Sequence, residues 1–220
     1  RDNEKIALVG RNGCGKTTLL KTILGMVKAQ SGTIRVHGKE IAKNCSYRQH
    51  IGYMPQIGRY PESMTIKQLF TMMKDIRKTP DAELDKELML SFKLDSIADK
   101  ALGTLSGGTR QKVSACLAFL FNPEVLILDE PTAGLDPIST EILKAKILKE
   151  KQLGKLILIS SHILSELDEL VSNVIYMQEG KVLFFKPIQT LLRESGTEKL
   201  TKAIAHFMLN QEPLNPVAHD

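Results

Sequence analysis

Apolar residues along this chain fall into short continuous runs set between stretches of helical periodicity. The runs Val125-Leu126-Ile127-Leu128 and Leu156-Ile157-Leu158-Ile159 show no polar alternation, so both predict strands buried on two faces, as a parallel sheet requires. Further strands are predicted at Ile6 to Val9, Thr33 to Val36, Val174 to Met177 and Val182 to Phe185. Helical spacing appears over Lys16 to Val27, Lys112 to Phe121, Ile138 to Lys151 and Leu164 to Leu170. Alternating strand and helix makes this an α/β chain with a mainly parallel sheet. His37-Gly38-Lys39 turns a short antiparallel hairpin, and Gly180 turns another between Tyr176 and Val182. From Thr65 to about Lys100 the pattern is mostly helical, with Pro61 and Pro80 as breakers, and reads as an insertion. Beyond Pro187 come amphipathic helices over Ile188 to Arg193 and Glu198 to Leu209, then a polar tail.

Composition narrows the class without naming a chemistry. At 220 residues the chain is one large domain or one domain with a small subdomain. Its 42% hydrophobic and 25% charged content is ordinary for a globular protein. No apolar run reaches the ~18 residues of a membrane-spanning helix, and no signal-peptide pattern is present. Cys14, Cys45 and Cys116 are far apart and odd in number, which points to neither a disulfide framework nor a metal site and fits a reducing, cytosolic setting. The formal charge of +5 comes from lysines scattered among acids, so no nucleic-acid partner is expected.

Candidate chemistry begins at Gly10-Arg11-Asn12-Gly13-Cys14-Gly15-Lys16-Thr17-Thr18, which follows one predicted strand and opens a helix. In that context the G-x-x-x-x-G-K-[ST] pattern makes a phosphate cradle: Gly10, Asn12, Gly13, Cys14 and Gly15 turn backbone N–H groups inward at the positive end of a helix. Lys16 reaches outer phosphates, Thr17 can ligate Mg²⁺, and Thr18 completes the turn into the helix. The expectation is a bound nucleoside triphosphate. Asp129 and Glu130 end the buried strand at Val125 to Leu128, on the side where ligands bind in open parallel sheets. Asp129 suits orientation of Mg²⁺, and Glu130 can polarise a water aimed at the γ-phosphate.

A second candidate anion site lies at Leu105-Ser106-Gly107-Gly108-Thr109-Arg110-Gln111-Lys112, a serine and two glycines at a helix start. One nucleotide needs only one such cradle. Two copies packed head to tail would each use one of each kind.

With these residues in view the chain resembles the nucleotide-binding subunit of an ABC transporter. The resemblance rests on Gly10 to Thr17 (Walker A), Gln56 within Tyr53-Met54-Pro55-Gln56 (Q-loop), Leu105 to Gln111 (signature) and Val125 to Glu130 (Walker B). It continues through Ala133-Gly134-Leu135-Asp136 (D-loop) and Ser160-Ser161-His162 (switch histidine). It implies a P-loop NTPase fold with a mainly parallel central sheet, a small antiparallel part and a helical subdomain insertion. The whole chain, 1–220, would then be one ATPase domain: residues 1–60 and 116–187 the α/β core, about 61–115 the helical signature subdomain, and 188–220 a helical tail. It further implies a homodimer, or a heterodimer with a second such ATPase, that sandwiches two ATP molecules between Walker A of one chain and Ser106, Gly107 and Gly108 of the other. Thr17, Gln56 and Asp129 would serve Mg²⁺, Glu130 would position or deprotonate water, and His162 would bond the γ-phosphate. Asp136 would couple the two sites across the interface. A separate integral-membrane permease would take up the motion, with this subunit peripheral on the cytoplasmic side of the cell membrane and a groove over Gln56 to about Lys100 docking the permease.

Two departures from the family pattern stand out. The signature has Thr109 where glutamine is usual, with the phosphate-facing residues kept. The family also places an adenine-stacking aromatic well upstream of the Walker lysine, and no residue before Lys16 is aromatic. Either a piece is missing upstream or the base is held differently, so weak nucleotide affinity and poor base selectivity are expected. Cys14 is expected among phosphate-facing amides and open to alkylation unless Mg-ATP protects it; His37, His50, His206 and His219 lack partners at ligand spacing and are expected to be surface residues. A soluble ABC ATPase of translation is the alternative to the transporter subunit, and a regulatory protein that no longer hydrolyses is a further one. A repair-type ATPase is opposed by the lack of heptads between Lys16 and Leu105. The run Ser160 to Leu167 and the short tail resemble bacterial exporters of the drug and lipid-linked type, and also the ATPase that assists nitrous-oxide-reductase maturation.

Overall fold

The computed structural model describes residues 5–41, 45–164, 167 and 169–209. Its main sheet has strands β1 (Lys5–Val9), β4 (Ile51–Met54), β5 (Val125–Asp129), β6 (Leu156–Ser161), β7 (Asn173–Gln178) and β8 (Lys181–Pro187), in the order β4-β5-β6-β1-β7-β8. All neighbours are parallel except β7 and β8, which form the hairpin turned at Gly180. A separate antiparallel pair, β2 (Arg35–Val36) and β3 (Lys39–Glu40), is the hairpin expected around Gly38.

Register decides where chemistry can collect. Val9 pairs with Ser161, and Asp129 with Ser160, so β1, β5 and β6 end level with one another. Met54 pairs with Leu128, which brings the turn after β4 to the same edge. The loops that follow these strands carry Gly10, Glu130, His162 and Gln56.

Side chains alternate across the sheet as the two-residue period demands. Leu8, Ile127 and Met177 join Leu20, Leu24 and Cys14 beneath α1 (Lys16–Ile23). Ala7, Val9, Leu126 and Leu128 point the other way, into the larger core shared with α4 (Gly107–Phe119) and α5 (Pro137–Gln152). Phe119 is 1% exposed there, and full burial of such a ring is worth about 1.5–3 kcal/mol.

Between β4 and α4 the insertion supplies α2 (Ile66–Arg77) and the short α3 (Glu87–Ser91), the remainder being turns. Thr65 and Gln68 start α2 with a reciprocal capping box: Gln68 N–H donates to Thr65 Oγ1 at 3.1 Å and Thr65 N–H to Gln68 Oε1 at 2.9 Å. Ile66, Leu69 and Phe70 face the core while Met64, Met72 and Met73 are partly buried against it. Two tail helices, α6 (Ile188–Ser195) and α7 (Leu200–Leu209), complete the described chain.

Several boundaries move from expectation. Helix α1 stops at Ile23, where Gly25 takes a left-handed φ of 65°. Helix α4 begins at Gly107, at the start read from Ser106 and its two glycines, and so adds a turn and a half to the periodicity seen from Lys112. The expected helix from Leu164 to Leu170 lies partly outside the described residues (Ser165, Glu166 and Asp168), and its described part forms turns, with Leu167 and Leu170 bonding back to Leu164 and Leu167.

Candidate functional site

The phosphate loop is wedged between two strands. A Cβ on Gly10 would stand 2.3 Å from the Met177 carbonyl oxygen and 2.6 Å from Cys14 Sγ, so only glycine lets β1 turn here beside β7. Gly15 caps α1 in a left-handed conformation (φ 105°), leaving the first helical N–H groups pointing outward. Lys16 is 7% exposed, and its Nζ donates to the carbonyls of Gly10 (2.7 Å) and Arg11 (3.3 Å). Both bonds run to main-chain carbonyls rather than to a carboxylate.

Asp129 and Glu130 are held from the neighbouring strand. Asp129, 1% exposed, accepts from Thr17 Oγ1 at 2.9 Å and from the Ser160 hydroxyl. Glu130 N–H donates to both the carbonyl and the hydroxyl of Ser160, each at 3.1 Å. These bonds hold Glu130 at φ 51°, a left-handed conformation costing a non-glycine residue on the order of 1 kcal/mol. The outcome is a carboxylate turned into the cleft, where Oε2 meets His162 Nδ1 at 2.7 Å. Strain at this residue is the local signature of a side chain aimed by its backbone. Behind Asp129, burial pushes the Tyr53 phenol up to about 12, with the Asp129 charge adding to it.

These groups share one cleft of about 240 Å³, walled by the turn from Asn12 to Thr18 on one side and by Gln56, Asp129 and Glu130 on the other. The wall includes Asn12, Gly13, Gly15, Lys16, Thr17 and Thr18 as expected, but not Cys14. That thiol is 6% exposed and packs with Leu8, Leu20 and Met177 beneath α1, so the side chain faces the core.

The signature turn lies elsewhere. Ser106 caps α4, accepting from Thr109 N–H at 3.2 Å, with the two hydroxyls 2.9 Å apart. Ser106 and Gly107 are exposed and line no part of the cleft. Asp136 caps α5 through Ser139 N–H (2.9 Å) and the Ser139 hydroxyl (2.7 Å), and pairs with Lys112 Nζ at 2.8 Å. Lys112 first, then Ser139, hold its carboxyl far below the usual carboxylate range.

Two histidines share one carboxylate. His37 Nε2 and His50 Nδ1 both contact the Glu124 carboxylate, at 3.1 and 2.8 Å, tying the β2–β3 hairpin to the start of β5. Exposed His206 packs edge-on against Phe207, and His219 lies outside the described residues. Ser160 and Lys112 were not singled out from sequence. The run Ser160-Ser161 before His162 was the available signal for the former; for Lys112 there was none beyond its place after the signature.

A phosphate loop at the end of one parallel strand, with paired carboxylates at the end of another, defines a P-loop ATPase. The family model described as ABC transporter matches residues 1–133, more than half of the chain, and the chain belongs to that family and carries its ATP-binding ATPase domain. It is 33% identical over 204 residues to the ABC transporter ATP-binding protein YhaQ of Bacillus subtilis, covering 91% of this chain and 67% of that protein. It is 32% identical over 182 residues to the Nod factor export ATP-binding protein I of Burkholderia lata, covering 81% of this chain and 60% of that one. Human phospholipid-transporting ATPase ABCA3 is 32% identical over 215 residues, 96% of this chain and 13% of its own length. A solved structure of an ATP-binding subunit of an ABC transporter superposes with a TM-score of 0.87 at 27% identity, over 94% of this chain and 89% of that one.

Proposed function

We propose that this chain is the ATP-hydrolysing subunit of an ABC transporter, acting in pairs and driving a separate membrane permease of the exporter type. The observation that carries the pairing is the separation within one chain of a cleft lined by Lys16, Thr17, Gln56, Asp129 and Glu130 from an exposed signature turn at Ser106 to Gly108. A second copy, or a related ATPase, supplies the signature turn that closes each cleft. Export is supported by the Nod factor export relative, and a peripheral position on the cytoplasmic side of the membrane goes with it. No helix among the described residues is long and apolar enough to cross a membrane.

In this reading Lys16 and the amides of Gly13 and Gly15 hold the β- and γ-phosphates. Thr17 Oγ1 and Asp129 Oδ2, 2.9 Å apart beside Gln56, offer only hard oxygen donors, the set that suits Mg²⁺. Those three residues would hold the ion, which neutralises phosphate charge when bound. Glu130 orients the attacking water and accepts its proton. His162 fixes the Glu130 carboxylate before nucleotide enters and then bonds the γ-phosphate. Gripping by Ser106, Gly107 and Gly108 of the other copy stabilises the transferring phosphoryl group and shuts out water.

The permease would dock in an apolar groove of about 460 Å³ between the core and the insertion, walled by Tyr53, Tyr60, Leu69, Met72, Met73 and Phe121. Methionines suit such a surface because they repack around a partner helix. Arg48, Arg59 and Arg77 also line it and favour an acidic partner.

Glu130→Gln tests the reading. It keeps the cleft's shape but removes the proton acceptor, so hydrolysis should fall about 10²–10⁴-fold while Mg-ATP converts monomers to dimers in sedimentation. A variant that stays monomeric with saturating Mg-ATP over a wide protein concentration overturns the paired mechanism, leaving a single-chain nucleotide hydrolase.

A further inference from the structure

We infer that Lys112 is a positioning residue that ties the signature turn of a chain to the catalytic glutamate of the same chain, and so links the two nucleotide sites of the pair. The inference rests on the paired reading above.

Lys112 stands on α4, a turn and a half after Ser106, and reaches across to Asp136 Oδ2 at 2.8 Å. Its ammonium also lies 5.9 Å from the centre of the Phe92 ring. Capping does not require it, because Ser139 already engages both oxygens of Asp136. Stability does not require it either: Asp136 is half exposed, and such pairs contribute little. What the pair does is join two elements. Asp136 ends a loop that starts at Glu130, and that loop is a chain of tight turns, with Ala133 N–H bonded to the Glu130 carbonyl and Leu135 N–H to that of Thr132, both at 3.1 Å.

A second contact joins the same two elements. A Cβ on Gly108 would lie 2.8 Å from the Gly134 carbonyl oxygen, so the first turn of α4 rests directly on the loop. Contact at Gly134 and an ion pair at Asp136 join the start of α4 to the loop at two points. When α4 moves to grip the nucleotide of the other copy, the loop moves with it and turns Glu130 toward its own nucleotide. Packed turns with two joints transmit displacement rather than absorb it.

The test uses the full chain and ATP. Lys112→Met keeps the aliphatic stem and removes the charge; Lys112→Arg restores it. Lys112→Met should lower kcat about tenfold, the size expected when a catalytic group is slightly misplaced, and should flatten a sigmoidal ATP dependence to a hyperbola. Equilibrium binding of nucleotide to the single chain should not change, and Lys112→Arg should recover both kcat and sigmoidicity. Unchanged kcat and sigmoidicity in Lys112→Met overturn the inference, as does a lowered melting temperature with unaltered kinetics per folded molecule. Dimerisation of Glu130→Gln with Lys112 intact separates the two levels: if it occurs, a negative result indicts Lys112 alone, and if it does not, the pairing falls and this link with it.

Discussion

The cleft and the signature turn are built by opposite means. The cleft is made of strand ends in fixed register: Asp129 and Glu130 are 1% and 6% exposed and are bonded from the adjacent strand by Ser160. The signature turn is the exposed start of α4, next to the inserted segment, with the Ser106 side chain bonded to its own third neighbour Thr109. A site that must hold charge and orient water is rigid and recessed. A surface proposed to meet a second copy is exposed.

Separating the two surfaces gives the largest expected effect. Lys16→Ala removes the charge inside the cleft and should weaken nucleotide binding by the single chain about ten- to a hundredfold, since hydrogen bonds to charged groups contribute about 1.5–3 kcal/mol. Ser106→Asp keeps a competent helix cap but presents a negative charge to phosphate. It should leave binding to the single chain intact and cut hydrolysis by about 10²–10³-fold, the loss typical of removing a transition-state donor. Each variant alone is then inactive for a different reason. Mixed in equal amounts, half of the pairs contain one sound cleft facing one sound signature turn, so about a quarter of normal activity should return. Activity that does not return on mixing would count against shared sites; equal loss of nucleotide binding in both variants would erase the distinction between the two surfaces.

How far the two surfaces could be read from sequence follows from their construction. Strands buried on both faces announce themselves as aliphatic runs, and a glycine turn between strand and helix has few other uses, so β1, β5, β6 and the phosphate loop were legible. Strand β4 was not, because Gly52 and Tyr53 interrupt it and only pairing with β5 makes it a strand. The start of α4 was legible from Ser106, whose cap offsets the poor helix formers Gly107 and Gly108 that blur the periodicity before Lys112. Cys14 faces the core because the loop's path past Met177 sets its direction, which spacing does not encode. Links between distant residues, such as Lys112 with Asp136 or His37 and His50 with Glu124, arise only once the chain has folded.

The inserted segment is nonetheless anchored to the core by buried charge, and this sharpens the contrast. Lys146 on α5 is nearly fully buried and contacts Glu150 at 2.7 Å, and from the insertion Asp85 at 2.5 Å and Glu87 at 2.9 Å. Burial alone would lower its proton affinity, but the bonds from Asp85, Glu150 and Glu87 outweigh that and hold it charged. Removing one member of such a network leaves the others buried without compensation. Lys146→Met should therefore destabilise the fold by about 3 kcal/mol, seen as a lower midpoint in denaturant, with nucleotide binding per folded molecule unchanged. A shift below 1 kcal/mol, on the scale of exposed pairs, would show that the insertion is held by apolar packing instead.

Within the insertion itself the smallest effect is expected. Asp81 sits between the ammonium groups of Lys74, in the last turns of α2, and Lys86, just before α3. Hydrogen bonds from Lys74 and Lys86 lower its carboxyl from an ordinary 3.8 to about 2. A depressed folded value means that the pair stabilises the protein above the unfolded value of 3.8 and that the gain is lost as pH falls through about 2. Asp81→Asn should thus melt slightly earlier than the parent at pH 7, and the two curves should converge on acidification between those limits. Because the group is exposed, the gap at neutral pH should also close in about 1 M salt, where the screening length is about 3 Å. ATP hydrolysis should not change, since the Lys74–Asp81–Lys86 clamp stiffens only the part of the insertion away from both nucleotide surfaces. A gap that stays constant across pH and salt would mean that Asp81 acts through the turn it starts at Pro80 rather than through its charge.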